Sequence, residues 1–204
     1  MPVFKKGPAG DVKNYRPISL TCMACKVMER IIARHIYDHL IDCDLLSNMQ
    51  HGFVRKRSTC TNLLESINDW TTIVQNKRSV ISAYIDFTRA FDSVSHGKLF
   101  ARLYSYGIRG DVLKWLTNFF SDRTHQTRVG HYLSAVAKLL SGVVQGSGIG
   151  PVMFLIYIDE LAKLLKSCGI VAKLFADTMS KSIVEIINTA DAYKLHTALD
   201  LIAE

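Results

Sequence analysis

Several features are scarce or missing in this sequence, and each absence excludes a class of protein. The longest apolar run, Pro151 to Ile158, falls far short of the ~20 residues that a membrane-spanning helix needs. Residues 1–7 lack the apolar core of a signal peptide, so an intracellular protein of the cytoplasm or nucleus is expected, not a secreted one. Since 49% of the 204 residues are hydrophobic, a globular protein with its own core is expected, without a membrane partner.

Cysteine is sparse and odd in number, with five residues and no secretory context, so reduced thiols are expected. Cys22 and Cys25, followed by His35 and His39, resemble the spacing of a zinc finger. Residues 26–36 are predicted to form one continuous helix, which would separate the two pairs by ~15 Å. That distance is too long for a single tetrahedral zinc site, so zinc is not expected.

Acidic residues are fewer than basic residues: 18 Asp and Glu against 25 Lys and Arg give a net charge of +7. This balance favours a polyanionic partner, although it would also serve solubility. The N-terminal part is the expected surface for a phosphate backbone, because many basic residues fall there. They include Lys5-Lys6, Arg16, Arg55-Lys56-Arg57 and Lys77-Arg78.

Hydrophobic periodicity predicts the local structure along the chain. Residues 1–19 hold three of the four prolines and are expected to be a loop with at most one short strand. Helices are predicted over 21–41, 59–75, 95–106, 111–120, 148–165 and 191–203. Strands are predicted over 80–86, 170–177 and 182–187, with 127–130 paired to 135–144. Because long helices alternate with strands that are not adjacent, the fold class is α+β.

Two β-branched runs, 80–86 and 170–177, each end on an aspartate. A carboxylate at the end of a buried strand is costly to desolvate unless a cation or hydrogen-bond donors receive it. Asp86 and Asp177 are therefore candidate ligands for two Mg²⁺ ions, which prefer carboxylates and can stabilise phosphoryl transfer. The alternative for each residue is a strand-terminating turn or a helix cap.

Two further segments have side chains or backbone suited to a nucleotide. Phe91 follows Asp86 by five residues, where a turn would bring its ring under an incoming sugar and exclude a 2′-hydroxyl; the alternative is ordinary core packing. Asp92 is expected at the start of a helix and is not assigned as a ligand. Residues 142–151 are rich in glycine, which permits close approach of the backbone to a ligand such as a base pair.

The order of five motifs resembles that of reverse transcriptases from non-LTR (LINE-type) retrotransposons. The resemblance covers almost the whole chain, which makes it far more specific than any single motif. The motifs are Asn14-Tyr15-Arg16-Pro17-Ile18-Ser19-Leu20, Gln50-His51-Gly52-Phe53 with Arg57-Ser58, Ile85-Asp86-Phe87 with Ala90-Phe91-Asp92, Gln145-Gly146-Ser147 with Gly150-Pro151, and Leu174-Phe175-Ala176-Asp177.

The resemblance implies a right-hand polymerase fold, with fingers over residues 1–80, an incomplete palm over 81–204 and no thumb. It implies RNA-directed DNA synthesis from deoxynucleoside triphosphates on an RNA template and a DNA primer, with two Mg²⁺ ions or with Mn²⁺; no protein partner is indicated. It also implies roles for particular residues. These are Asp86, Asp177 and the Phe87 carbonyl at the metals, Phe91, Gln145, Gly146 and Arg57 at the nucleotide, and Arg16, Arg55, Lys56 and Ser147 at nucleic acid.

Three positions depart from the family pattern. Thr178 follows Asp177 where the family has a second aspartate, and Glu185 is too distant to replace it on a strand that rises ~3.3 Å per residue. Lys56 stands where many relatives have glycine, and Val54 where many have a basic residue. An impaired polymerase, a fragment or decayed copy of a larger protein, is therefore expected. One alternative is a non-catalytic nucleic-acid-binding remnant, and another is an unrelated α+β binding protein whose motif order is accidental.

Overall fold

A computed structural model describes residues 1–82, 84, 87, 89–168, 170, 172–175, 179–181 and 183–184. The chain divides into two compact units, and each is built from two separate segments. The first unit comprises Met1–Asp42 and Phe91–Phe154, and the second comprises Cys43–Ala90 and Leu155–Glu204. Among the described helices, none is long and apolar enough to cross a membrane.

The first unit begins with an antiparallel pair of strands, β1 (Pro2–Phe4) and β2 (Tyr15–Pro17), joined through a 3-10 turn at Val12–Asn14. The sequence predicted at most one strand here, and that prediction was wrong. Ring contact between Phe4 and Tyr15, with centroids 5.4 Å apart, supports the pairing. Each strand has only three residues, which is too short to show an alternation of apolar and polar side chains, and each is stabilised by pairing with the other.

Three helices of the first unit confirm the predictions made from hydrophobic periodicity. They are α1 (Met23–Asp42), which runs unbroken through residues 26–36 as predicted, α3 (His96–Ser105) and α4 (Gly110–Phe120). The Ser95 hydroxyl caps α3 by accepting a hydrogen bond from a backbone N–H in the first turn. Gly107 follows the helix with φ +84°, a left-handed conformation that glycine adopts without strain.

The hairpin after α4 differs from the prediction. Its outer pair joins β4 (Thr124–His125) to β7 (Ala137–Lys138), and its inner pair joins β5 (Arg128–Val129) to β6 (Tyr132–Leu133). The predicted pairing of 127–130 with 135–144 was therefore wrong. Gly130, with φ +59°, makes a tight turn directly after β5, so β5 pairs with the nearest following residues.

In the second unit, α2 (Thr59–Gln75) matches the predicted helix at both ends. Ser58 and Thr61 form a capping box, in which each side chain accepts from the backbone N–H of the other. The helix α5 (Gly150–Ser167) also confirms its prediction, with Pro151 in its first turn, and contributes residues to both units.

The remaining strands of the second unit form two small antiparallel sheets. One pairs β3 (Ile81–Ser82) with β10 (Ile183–Val184), and the other pairs β8 (Lys173–Phe175) with β9 (Met179–Lys181). Helices with small sheets are compatible with the predicted α+β class. The predicted helix over 191–203 lies outside the described residues.

Charged and polar side chains meet where β8 packs on α2, with Lys173 and His51 buried and the Glu65 and Asp69 carboxylates partly exposed. The Lys173 ammonium lies 2.5 Å from Asp69 Oδ2 and 3.8 Å from Glu65 Oε2. His51, which is 1% exposed, places Nε2 3.3 Å from Glu65 Oε2 and Nδ1 3.2 Å from Thr61 Oγ1. Backbone bonds to Leu174 hold the His51 segment on β8. The Glu65 carboxylate therefore lies near both the buried imidazole of His51 and the ion-paired ammonium of Lys173.

His51 is expected to make the fold less stable at mildly acidic pH. Burial lowers the pKa of its imidazole, although the Glu65 carboxylate acts in the opposite direction. As pH falls below about 6.5, the unfolded chain takes up a proton that the folded chain does not, so the free energy of unfolding falls by up to ~1.4 kcal/mol per pH unit. Urea unfolding from about pH 7 to about pH 5 measures this slope.

The slope should be smaller in His51→Gln, because that variant lacks the titrating ring. His131→Gln, at an exposed histidine, is the matched control and should retain the native slope. Equal slopes in the native chain and His51→Gln would show that the imidazole does not govern the acid sensitivity.

Candidate nucleotide site

The two candidate metal ligands, Asp86 and Asp177, lie outside the described residues, as does Thr178. Phe87, whose carbonyl is the third implied ligand, is described and half-buried. No three His, Cys, Asp or Glu side chains in the described part of the chain form a metal-binding group. Among the described residues are the strands that precede the two aspartates in sequence, β3 and β8.

Strand pairing connects the two aspartate-bearing segments within the second unit. β3 ends at Ser82, four residues before Asp86, and pairs with β10. β8 ends at Phe175, two residues before Asp177, and pairs with β9. β9 and β10 are separated by one residue in sequence, and together they pair with both segments.

In the first unit, the Gln145 side chain is held by Asp92. Gln145 Nε2 donates to Asp92 Oδ1 at 2.8 Å, and the Ser141 hydroxyl donates to the Asp92 carbonyl at 2.8 Å. The expectation that Asp92 starts a helix was wrong, because α3 begins at His96. The sequence does not indicate this pair, since the two residues are 53 positions apart and neither motif contains a signal for the other.

Two glycines of residues 142–150, called here the Gln145 loop, contact the protein's own backbone. At Gly142, with φ +89°, an added Cβ would lie 2.8 Å from the Asp92 Cα. At Gly146, with φ +94°, it would lie 3.0 Å from the Ser19 carbonyl oxygen. The sequence predicted glycine for close approach to a ligand, and at both positions the close approach that the structure shows is intramolecular.

Ser147 uses its hydroxyl within the Gln145 loop. Its Oγ accepts a hydrogen bond from the Gly150 backbone N–H at 3.0 Å, and the residue is buried. An added Cβ at Gly150 would lie 3.0 Å from that oxygen, so glycine leaves room for the bond. Ser147 therefore provides an acceptor for one of the backbone N–H groups that have no intrahelical partner at the start of α5.

Phe91 stacks on Phe154 in the first unit, with ring centroids 4.2 Å apart and an interplanar angle of 15°. Its carbonyl accepts a hydrogen bond from the Val143 N–H at 2.8 Å, which joins it to the Gln145 loop. The ring is half-buried. Stacking of this kind corresponds to the core-packing alternative, and the sugar-gate role stays a prediction.

The predicted basic residues differ in their surroundings. Arg57 is half-buried, and its guanidinium donates to the carbonyls of Asn48 and Gln50. Arg16 on β2, Arg55 and Lys56 are exposed. Arg57 thus stabilises the turn before α2 by hydrogen bonds to its own chain.

Lys56 adopts φ +63°, the left-handed conformation that disfavours every residue with a Cβ. This conformation explains why glycine suits the position. Lys56→Gly is expected to raise the free energy of unfolding by about 1 kcal/mol, which urea or thermal unfolding measures. Lys56→Ala removes the same charge but keeps the Cβ, so it should give no comparable gain. A gain of equal size in both variants would assign the effect to charge instead.

The structure also reveals a groove in the first unit that the sequence did not indicate. It encloses about 630 Å³ and is lined by residues 17–21, 123–128 and 138–145, together with Asp92. The cationic side chains of Arg123, Arg128 and Lys138 border it. Because its walls come from three distant segments, no local pattern could have predicted it.

Residues 3–193 match the protein family described as "Reverse transcriptase (RNA-dependent DNA polymerase)". The chain is 29% identical over 154 residues to the RNA-directed DNA polymerase from mobile element jockey of Drosophila melanogaster, covering 74% of this chain and 16% of that protein. It is 30% identical over 169 residues to a retrovirus-related Pol polyprotein from type-1 retrotransposable element R2 of Popillia japonica, covering 80% and 22%. The chain thus spans 16–22% of the length of these curated relatives.

Proposed function

Because this chain belongs to the reverse transcriptase family, we propose that it supplies the nucleotidyl-transfer core of an RNA-directed DNA polymerase. Its relatives are polymerases of non-LTR retrotransposons, which confirms the family that the motif order predicted. The proposed reaction adds deoxynucleotides to a DNA primer on an RNA template. Residues 1–80 are proposed to belong to the fingers and 81–204 to the palm.

The pairing of β10 with β3 and of β9 with β8 is the observation that carries this proposal. It connects the segment that leads into Asp86 with the segment that leads into Asp177. Two carboxylates that follow connected strands in sequence would suit a shared cation site, because a buried carboxylate without a partner is costly to desolvate. This connection supports the assignment of Asp86 and Asp177 as ligands.

Reverse transcriptases normally use divalent metal ions, and the donor set here suits them. Asp86, Asp177 and the Phe87 carbonyl supply hard oxygen atoms, which fit two Mg²⁺ ions or Mn²⁺. Such ions stabilise the negative charge that develops on the attacking and leaving oxygens. Thr178 adds no negative charge beside Asp177, so we infer that the activity of this chain is impaired.

The chain's own residues would orient the substrates. Gln145, held by Asp92, and the adjacent Gly146 are proposed to contact the incoming nucleotide and template, and Phe91 to exclude ribonucleotides. The groove bordered by Arg123, Arg128 and Lys138 suits a phosphate backbone, because cations there would release counterions from nucleic acid. Binding of this kind would need no reading of base sequence.

Primer extension on an RNA template tests the proposal. The native chain, supplied with deoxynucleoside triphosphates and Mg²⁺ or Mn²⁺, is expected to extend an annealed DNA primer slowly, and Asp86→Ala is expected to abolish extension. Asp111→Ala, at a fully exposed carboxylate on α4, is the control and should retain the native rate. Extension by Asp86→Ala at the native rate would overturn the assignment of Asp86.

A second candidate, favoured by Thr178 in place of the family's second aspartate, is a nucleic-acid-binding remnant without catalysis. It predicts salt-dependent binding to an RNA–DNA hybrid, measurable by fluorescence anisotropy, because exposed cations contact phosphates. It also predicts that neither the native chain nor Thr178→Asp extends a primer. Extension by either chain would exclude this candidate.

A further inference from the structure

Glu29 is a buried carboxylate in the second turn of α1. It is 1% exposed, and its Oε2 accepts a hydrogen bond from the Gly148 backbone N–H at 2.6 Å. Its Oε1 has no hydrogen-bond partner among the described residues. Burial of a carboxylate with so few partners costs free energy that an apolar side chain would not. The single hydrogen bond therefore offsets little of the free energy that desolvation of this carboxylate costs.

What this carboxylate does supply is a strong, directional hydrogen bond to the Gln145 loop. A bond from an N–H to an ionised carboxylate is roughly twice as strong as one between neutral groups. The loop backbone approaches α1 closely at this point, since an added Cβ at Gly148 would lie 3.0 Å from Arg30 Cγ and 3.2 Å from Glu29 Cβ. The bond thus fixes the loop against the helix.

The other side of the same loop is held by the segment that precedes α1. The Ser19 N–H donates to the Gln145 carbonyl at 2.9 Å, and Gly146 packs against the Ser19 carbonyl. Gln145, Gly146 and Ser147 therefore lie between two attachments to the α1 region. The Gln145 amide, directed at Asp92, depends on the position of this backbone.

We infer that Glu29 is a positioning residue, which holds the Gln145 loop through its bond to Gly148 so that Gln145 and Gly146 can meet the incoming nucleotide. The part of this inference that concerns the nucleotide rests on the proposed function. The part that concerns the loop does not, and the two can be measured separately.

Hydrogen exchange of the full chain, followed by mass spectrometry, measures the loop directly. Glu29→Met, which has similar length but only a weakly accepting sulfur, is expected to speed amide exchange over residues 146–150 by roughly tenfold or more. Glu29→Gln keeps an acceptor oxygen and should stay within about threefold of the native chain. Leu40→Ala, at a fully buried position on the same helix, controls for general destabilisation and should not affect these residues selectively.

A native exchange rate in Glu29→Met would overturn the inference. An acceleration in Glu29→Gln or Leu40→Ala equal to that in Glu29→Met would overturn it too. The effect on the nucleotide is measured by primer extension, in the native chain or, if only that chain is active, in the Thr178→Asp chain. Glu29→Met should raise the KM for deoxynucleotide about tenfold. Glu29→Gln should restore KM most of the way. If exchange changes as expected while no chain extends a primer, the proposed function fails and the positioning of the loop stands.

Discussion

Thr178→Asp is expected to raise the rate of RNA-templated primer extension by roughly 10²- to 10³-fold over the native chain. The substitution adds a carboxylate beside Asp177, where the family pattern has one and this chain has a neutral hydroxyl. A second negative charge would hold a divalent cation more tightly and stabilise the charge that develops in phosphoryl transfer. Single-nucleotide extension rates with saturating Mg²⁺ measure the effect.

Thr178→Asn is the matched control, because it has the size of aspartate and an oxygen donor but no charge. It should extend the primer at about the native rate, and Asp86→Ala in the Thr178→Asp chain should remove the gain. Equal rates for the Asn and Asp variants would contradict the view that a lost charge limits this chain.

Gly142→Ala is expected to lower the free energy of unfolding by about 2–4 kcal/mol. A Cβ at φ +89° is strained, and here it would also lie 2.8 Å from Asp92 Cα and 2.9 Å from the Phe91 carbonyl oxygen. Backbone cannot move aside as a flexible side chain can. The contact between Asp92 and the Gln145 loop should therefore open, which urea unfolding and exchange over residues 142–150 would both register.

Gly97→Ala provides the control for the loss of a glycine. Nothing lies within 4 Å of a Cβ added at Gly97, and the residue is inside α3. Alanine should stabilise that helix by about 0.5–1 kcal/mol. Similar destabilisation by both substitutions would indicate that the crowding at Gly142 is relieved at little cost.

The helices could be predicted from the sequence because their signals are local. Apolar spacing alone placed α2 and α3 to within a residue or two. The motif order likewise identified the family, since it depends only on residue identity and sequence position. The roles predicted for Arg57, Gln145 and Gly146 rest on that resemblance and stay predictions.

The short strands could not be predicted in the same way. β5 and β6 are two residues each, and their pairing depends on the turn at Gly130 more than on any alternation of apolar residues. The groove bordered by Arg123 and Lys138 required distant segments to meet. Hydrophobic periodicity describes which face of an element is buried but does not identify the element that covers it.

The sequence by itself therefore determined the family, the α+β class, the main helices and the neutral residue after Asp177. Only the tertiary structure decided that Asp92 holds Gln145, and that Glu29 holds Gly148 across 119 positions. These bonds form between groups that the fold brings within hydrogen-bonding distance, and their strength depends on burial from water. Neither distance nor burial is encoded in residue spacing, so the sequence did not show that Asp92 and Glu29 bond to the Gln145 loop.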